Sequence, residues 1–395
     1  MDVYSKSLKL HEKLKGKLEV KSKVSLSSSA SLALAYTPGV AQPCREIFSN
    51  PEKVFDLTLK SNSLAVVTDG SSVLGLGNIG AEASIPVMEG KAVLFKAFAG
   101  IDAFPICIKS QETATIVETV KQISPVFGAI NLEDISAPRC FEVEALLQEI
   151  GIPVMHDDQH GTAVVVMAAL FNACRVAGKN LEDLNVVISG AGAAGTAITK
   201  WLKCIGVDHN ICKSVKGILV ADSHGIIYDG RPGLSGHKLE LAKQTNRKRA
   251  KGTLSDALSG ADVFVGVSKA NLVSSEMVSS MAKNPVVLAM ANPVPEIMPK
   301  EAKKGGALIV GTGRSDFPNQ INNALAFPGI FRGALDAKAT VINNEMKIAA
   351  AHALAGSLKK PSAKSILPKI IDKKVHYVIA RAVEKAARES GVSRN

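Results

Sequence analysis

Asn185-Val-Val-Ile-Ser-Gly-Ala-Gly-Ala-Ala-Gly195, followed by Thr196-Ala-Ile-Thr-Lys-Trp-Leu202, joins an apolar strand to a helix through a G-x-G-x-x-G turn. In that order Gly190, Gly192 and Gly195, with Ala193 and Ala194 between them, allow a tight turn. They also let a pyrophosphate approach the helix N-terminus, which is the dinucleotide fingerprint. The next apolar run, Gly217–Asp222, reads as a strand ending in an acid placed to accept hydrogen bonds from adenosine ribose hydroxyls. The spacing is long, with the extra length in the 207–216 loop. A carboxylate at Asp222 favours NAD over NADP, although His224, Arg231 and the basic run near Arg247 can offset repulsion of a 2′-phosphate and admit NADP. A second string of the same form, Gly75-Leu-Gly-Asn-Ile-Gly80, does not follow directly on a strand and reads as a structural glycine loop, with a place along the cleft left open.

Working outward, apolar runs at 262–268, 285–291 and 307–311 read as strands, with helices at 194–205, 253–259 and 274–283. This alternation predicts a doubly wound, Rossmann-type parallel sheet over 161–335. The preceding segment, 1–160, reads as an N-terminal α/β domain. Its expected strands are 64–68, 92–95, 104–108 and 128–132, and its expected helices 111–123 and 140–150; a long apolar helix at 162–177 follows. Residues 1–30 are polar and should wrap a surface. Residues 336–395 read as helical and should pack back on the first domain. The expected fold class is α/β throughout.

The chain of 395 residues has 46% hydrophobic and 21% charged residues, a globular balance with room for two or three domains. No uninterrupted apolar run reaches the roughly 18–20 residues of a membrane span. The mixed-charge N-terminus lacks a signal-peptide core. A cytoplasmic protein with no membrane partner is expected. The net charge of +11 comes from lysines near both ends and at 243–251. These are not interleaved with aromatics, so a basic solvated surface is expected and no nucleic-acid partner. Six cysteines form no C-x-x-C pair, which predicts reduced thiols and no structural zinc.

Two acidic pairs end apolar runs: Glu133-Asp134 after 128–132, and Asp157-Asp158 after Pro153-Val-Met-His156. Carboxylates converging at strand ends are hard ligands suited to Mg²⁺ or Mn²⁺. His156 and His160 have the i, i+4 spacing of a zinc hydrolase, but that motif needs a helix already formed at its first histidine, where this sequence reads as strand.

Taken together, Tyr36-Thr-Pro-Gly-Val40, Thr68-Asp-Gly-Ser-Ser-Val-Leu-Gly-Leu-Gly77, Gly90-Lys91, Glu133-Asp134, His156-Asp-Asp-Gln-His-Gly-Thr162, Ala291-Asn-Pro293 and Asn319-Gln-Ile-Asn-Asn323 resemble the malic enzymes, in order from about residue 8 to 355. The resemblance is to the bacterial type without its phosphotransacetylase-like extension. It implies metal-dependent oxidative decarboxylation of L-malate to pyruvate and CO₂ with reduction of NAD or NADP. It further implies Tyr36 as general acid, Lys91 as general base tuned by Asp157, and Glu133, Asp134 and Asp158 as metal ligands. Asn292 and Asn323 would contact the substrate or the nicotinamide end, and the family implies a homodimer. A base near neutral pH calls for a depressed Lys91 pKa, and Lys96 is the rival base. Where eukaryotic members have an arginine for the substrate carboxylate this chain has Ser72, and Arg314 is the candidate substitute. The alternatives are another two-domain NAD(P)-dependent dehydrogenase, which would not need the acid set, and a non-catalytic dinucleotide-binding protein.

Overall fold

The computed structural model describes residues 2–208 and 210–394. Helices α1 (Val3–Leu14), α2 (Ser29–Ala35) and α3 (Ala41–Ser49) open the chain, and none of them buries a residue. The short helix α4 (Val54–Leu57) leads into strand β1 (Ser63–Thr68), followed by α5 (Gly80–Ala99), β2 (Asp102–Cys107), α6 (Thr113–Ile123), β3 (Ala129–Leu132), α7 (Arg139–Leu147) and β4 (Val154–His156). These strands form a parallel sheet in the order β2-β1-β3-β4. One face, with Ala65, Val67, Ile130 and Leu132, packs against Ile116, Val120, Val143 and Leu147 of α6 and α7.

Helix α8 (Asp157–Ala177) then crosses to the second unit: β5 (Asn185–Ser189), α9 (Ala193–Leu202), β6 (Gly217–Asp222), β7 (Gly225–Ile226), α10 (Gly236–Gln244), α11 (Leu254–Leu258), β8 (Val263–Gly266), α12 (Ser275–Ser279), β9 (Val286–Ala289), α13 (Pro299–Lys304) and β10 (Ile309–Thr312). The six strands run in the order β10-β9-β8-β5-β6-β7, parallel except for the last pair. This is the doubly wound sheet that the alternation predicted. Helices α14 (Phe327–Asp336), α15 (Asn344–Gly356) and α16 (Lys373–Glu389) return to the first unit. Phe327 and Phe331 of α14 pack tilted and edge-on against Phe95 of α5, at ring-centroid distances of 4.7 and 5.5 Å.

By length and composition α8 is apolar enough to cross a membrane. In the fold it is the central packing helix, with every residue from Ala163 to Ala173 except the half-buried Phe171 buried in a core that also takes in β1, β5, α5 and α15.

Two expectations need correction. Residues 92–95 are not a strand but the middle of α5. Met88, Ala92 and Phe95 bury one face at helical spacing, a period hidden in the sequence by Pro86, Gly90 and a run of four apolar residues. Nor are all six cysteines free: Cys204 and Cys212 form a disulfide. The loop between α9 and β6 returns on itself, with Val215 N donating to Leu202 O, and so brings together two residues that no short motif links.

Candidate active site

Strands β3 and β4 are parallel neighbours with Leu132 opposite His156, so the residues just beyond each C-terminal end meet in one crevice. Glu133 continues the ladder by donating its N–H to Val67 O. Asp134 turns away with φ of 54°. Asp157 and Asp158 form the first turn of α8, where the helix dipole favours negative charge. Oxygens of Glu133, Asp134 and Asp158 all lie within 4.8 Å of one another, and Asp134 N–H donates to Asp158 Oδ2 at 2.8 Å. Arg139 pairs with the buried Asp69 at 2.8 Å and so pins the adjoining 68–72 turn, whose Ser72 N–H donates to Asp134 O at 2.9 Å.

Lys91 enters from α5. Its Nζ lies 2.6 Å from Asp157 Oδ2 and 2.8 Å from Glu133 Oε1, and 4.5 Å from the centroid of the Phe327 ring. Burial alone would lower its pKa, but Asp157 and Glu133 outweigh that and hold it above the ordinary lysine value. The two carboxylates by themselves favour the ammonium form, so the depression that a base near neutral pH calls for does not come from these residues alone. Lys96, the rival base, is exposed and paired with Asp102 at 2.7 Å, outside the crevice.

The carboxylates outnumber their counter-charge. Burial pushes Glu133 up to about 7 against the pull of Lys91, with Asp158 adding repulsion. Burial and the charges of Asp158 and Glu133 push Asp134 up to about 9. Burial also raises Asp157 to about 7 despite Lys91. The buried Asp134 Oδ2 has no hydrogen-bond partner among the described residues. A compact set of hard oxygen donors with excess negative charge and an unmatched acceptor fits Mg²⁺ or Mn²⁺.

Gly161 is a site residue that the sequence reading missed. A Cβ there would lie 1.8 Å from Asp157 Oδ1 and 3.3 Å from Asn323 Cβ, so the glycine makes room for the carboxylate and sets Asn323 beside it. Glu144 was missed as well. It reaches from α7 to accept from His156 N, Gln159 Nε2 and His160 Nε2. Neither had a local signal, since each matters only through a contact made in three dimensions. His156 ends β4 and His160 turns to Glu144, so the pair does not form the zinc-hydrolase face.

Across the cleft, β5 runs into the turn that starts α9. A Cβ on Gly195 would sit 1.9 Å from Gly190 O, whereas one on Gly192 meets nothing within 4 Å. The first glycine is demanded by the fold; the second leaves open space where a pyrophosphate would approach. Asn292 sits between two glycine segments: a Cβ on Gly313 would lie 2.6 Å from its Nδ2, and one on Gly75 2.2 Å from its O. The 75–80 loop therefore packs closely on the Asn292-Pro293 turn.

Asp222 differs in circumstance from the expectation. Its carboxylate accepts from His224 N at 2.9 Å, from Arg231 at 3.0 and 2.6 Å and from Lys238 at 2.9 Å. Burial would raise its pKa, but Arg231 and Lys238 hold it well below the usual carboxylate range. A cavity of about 410 Å³ beside it is also lined by Tyr228 and Lys251. Arg314 is committed to Asp316 through Nε at 2.8 Å and Nη2 at 2.7 Å and to Pro293 O at 2.9 Å, which leaves it poorly placed to serve a substrate carboxylate. Tyr36, at the C-terminus of α2, is 64% exposed. Its side chain makes no hydrogen bond among the described residues.

Comparison with known proteins matches residues 15–148 to the malic enzyme N-terminal domain and 159–388 to the malic enzyme NAD binding domain. The chain is 55% identical to a bifunctional malic/malolactic enzyme of Bacillus subtilis (strain 168), covering 100% of this chain and 95% of that protein. It is 50% identical to an NAD-dependent malic enzyme of Geobacillus stearothermophilus, covering 96% and 78% of the two chains. An NADP-dependent malic enzyme of Escherichia coli (strain K12) is 47% identical over 98% of this chain but only 52% of its own length. Among solved structures, the NAD-dependent malic enzyme of Thermotoga maritima superposes with a TM-score of 0.91 at 46% identity, covering 97% of this chain and 99% of its own.

Proposed function

Since the chain belongs to the malic enzyme family, whose members oxidatively decarboxylate malate with NAD or NADP, we propose the residue roles that carry this reaction here. The observation that supports them best is the Lys91 ammonium held between Asp157 and Glu133 at the edge of a three-carboxylate cluster.

Glu133, Asp134 and Asp158 hold Mg²⁺ or Mn²⁺, which when bound supplies a Lewis acid for the oxygens at C1 and C2 of L-malate. The nicotinamide, when bound, supplies the hydride acceptor. Lys91 takes the C2 hydroxyl proton. With part of its charge committed to a bound cation, Glu133 would hold the Lys91 ammonium less tightly, which favours the neutral amine a base requires. Asp157 orients Lys91 throughout. Loss of the C4 carboxylate as CO₂ leaves an enol that takes a proton at C3, and Tyr36 is the donor. Asn323, beside Asp157, and Asn292, at the glycine loops, contact substrate and nicotinamide.

The chain works as a homodimer in this reading. Helices α1 to α3 bury nothing, Phe48 is 90% exposed, and Tyr36 stands out on this surface. A second copy covering these helices would shield their apolar residues and bring Tyr36 to a crevice. NAD is the preferred nucleotide, through Asp222, with NADP accepted because Arg231 and Lys238 already offset that charge. The proposed place of action is the cytoplasm, where the dinucleotide is supplied.

Absorbance at 340 nm with L-malate, NAD and Mn²⁺ tests the assignment, repeated with EDTA, with NADP and for Lys91→Ala. Metal-dependent reduction with pyruvate as product, lowered about 10²–10⁴-fold in the variant, is expected. No reduction with either nucleotide by protein that binds NAD would overturn the assignment. Activity of the variant near that of the wild type would overturn only the role of Lys91.

A further inference from the structure

Helix α7 connects the two segments that donate carboxylates to the metal cluster. It follows the Glu133–Asp134 turn in the chain, and its Glu144 side chain reaches back onto segment 156–160, which carries Asp157 and Asp158. Glu144 Oε1 accepts from the backbone N–H of His156 at 2.8 Å. Its Oε2 accepts from Gln159 Nε2 at 3.1 Å and His160 Nε2 at 3.0 Å. All three donors belong to one short segment spanning the end of β4 and the first turn of α8. On its far side, His160 Nδ1 lies 3.4 Å from Lys347 Nζ of α15. The imidazole, protonated at Nε2, thus links a carboxylate to an ammonium.

This segment needs bracing. His156 is the N-cap of α8, but its side chain makes no capping hydrogen bond. The first turn holds two acids beside two more at the end of β3, and like charges this close disfavour one another's ionised forms. Between the two segments, Asp134 N–H donates to Asp158 Oδ2 at 2.8 Å, and the Lys91 ammonium bridges Asp157 and Glu133. Only 12% of the Glu144 side chain is exposed. Burial opposes its ionisation, yet His160, Lys347 and His156 hold its carboxyl down to about 2, so it is an anion throughout the working range.

We propose that Glu144 is a positioning residue for the metal site: its three hydrogen bonds set Asp158, and with it Asp157, at the distance at which Glu133, Asp134 and Asp158 share one cation. The proposal rests on the metal reading given above. Glu144 touches neither the cluster nor the reacting atoms and acts through the 156–160 segment. Its partners are all donors, so glutamine is a poor replacement, presenting its own N–H groups to one of the two sides. Aspartate is one methylene too short to reach. The brace borders a cavity of about 300 Å³ between α7, α9 and α15, so its loss does not open a void in tightly packed core.

The test is Mn²⁺ titration of the full-length, nucleotide-free protein by electron paramagnetic resonance, with NAD affinity measured by calorimetry on the same samples. Wild type is compared with Glu144→Gln, Gln159→Leu and Asp158→Asn. For Glu144→Gln the Mn²⁺ Kd should weaken about tenfold to a hundredfold, while the NAD Kd stays within about twofold. Gln159→Leu removes one of the three bonds and should give a smaller loss of Mn²⁺ affinity in the same direction. Mn²⁺ affinity unchanged in both variants overturns the proposal, as does a matching loss of NAD affinity, which would mark a general structural role. Where Glu144→Gln does not fold, Gln159→Leu decides by the same criterion. Wild-type protein that binds no Mn²⁺, or Asp158→Asn protein that binds it as wild type does, overturns the metal reading and this proposal together.

Discussion

Replacing Asp222 with alanine should turn the enzyme from NAD toward NADP, and the size of the turn follows from the contacts of the carboxylate. Asp222 now absorbs two hydrogen bonds from Arg231 and one from Lys238. Its removal takes from NAD a charge-assisted hydrogen bond to the ribose, worth about 1.5 kcal/mol at the low end. For NADP it removes the repulsion of a carboxylate some ~5 Å from a 2′-phosphate, about 1.5 kcal/mol at nearly solvent-like screening. Arg231 remains anchored by Gly225 O and Ile226 O at 3.1 and 3.3 Å, so its guanidinium stays in place to meet a phosphate. Together the effects amount to about 3 kcal/mol, or a little over a hundredfold in the ratio of kcat/KM for the two nucleotides. The assay is initial rates at 340 nm with saturating L-malate and Mn²⁺, varying each nucleotide. A ratio unchanged in the variant, or equal losses with both nucleotides, would refute the reasoning and leave Asp222 as a structural partner of Arg231.

Other outcomes follow from the same geometry. Gly195→Ala places a methyl 1.9 Å from Gly190 O and should lower both the thermal midpoint and NAD affinity, whereas Gly192→Ala, with open space around it, should keep the midpoint and lose only NAD affinity. Calorimetric binding beside a melting curve separates the two. Mn²⁺ relieves the crowding of Glu133, Asp134 and Asp158, so at a hundred times its Kd it should stabilise the protein by about 2.7 kcal/mol in urea unfolding, and Asp158→Asn should abolish the gain. Phe48→Glu puts a charge on the exposed α3 surface; analytical ultracentrifugation should find a wild-type dimer and a dissociated variant with reduced activity. A wild-type monomer with full activity would sink the shared-surface reading.

The doubly wound sheet was legible because its evidence is local. Strand β5, the three glycines and α9 are contiguous, and alternation of apolar runs with helical spacing is a property of near neighbours. The acidic pairs were legible for the same reason, each standing at the end of an apolar run. Local reading failed at 92–95, where four apolar residues carry no periodicity of their own and the flanking turns of α5 decide the period. It could not see the Cys204–Cys212 bond, which depends on a loop folding back.

By itself the sequence determined which segments are strands and helices over most of the chain, where the glycine turn between β5 and α9 lies and which acids end up at strand tips. Only the tertiary structure decided how those charges balance. Lys91 meets Asp157 and Glu133 across 66 residues of chain in the first case, and Asp222 is neutralised by Arg231 and Lys238. Glu144 closes on the 156–160 segment, and Gly161 makes room for Asp157. The reason is physical: hydrophobic periodicity is written between neighbours three or four residues apart, whereas a pKa, a hydrogen bond or a metal site depends on separations of a few ångströms between atoms that the chain alone does not hold together.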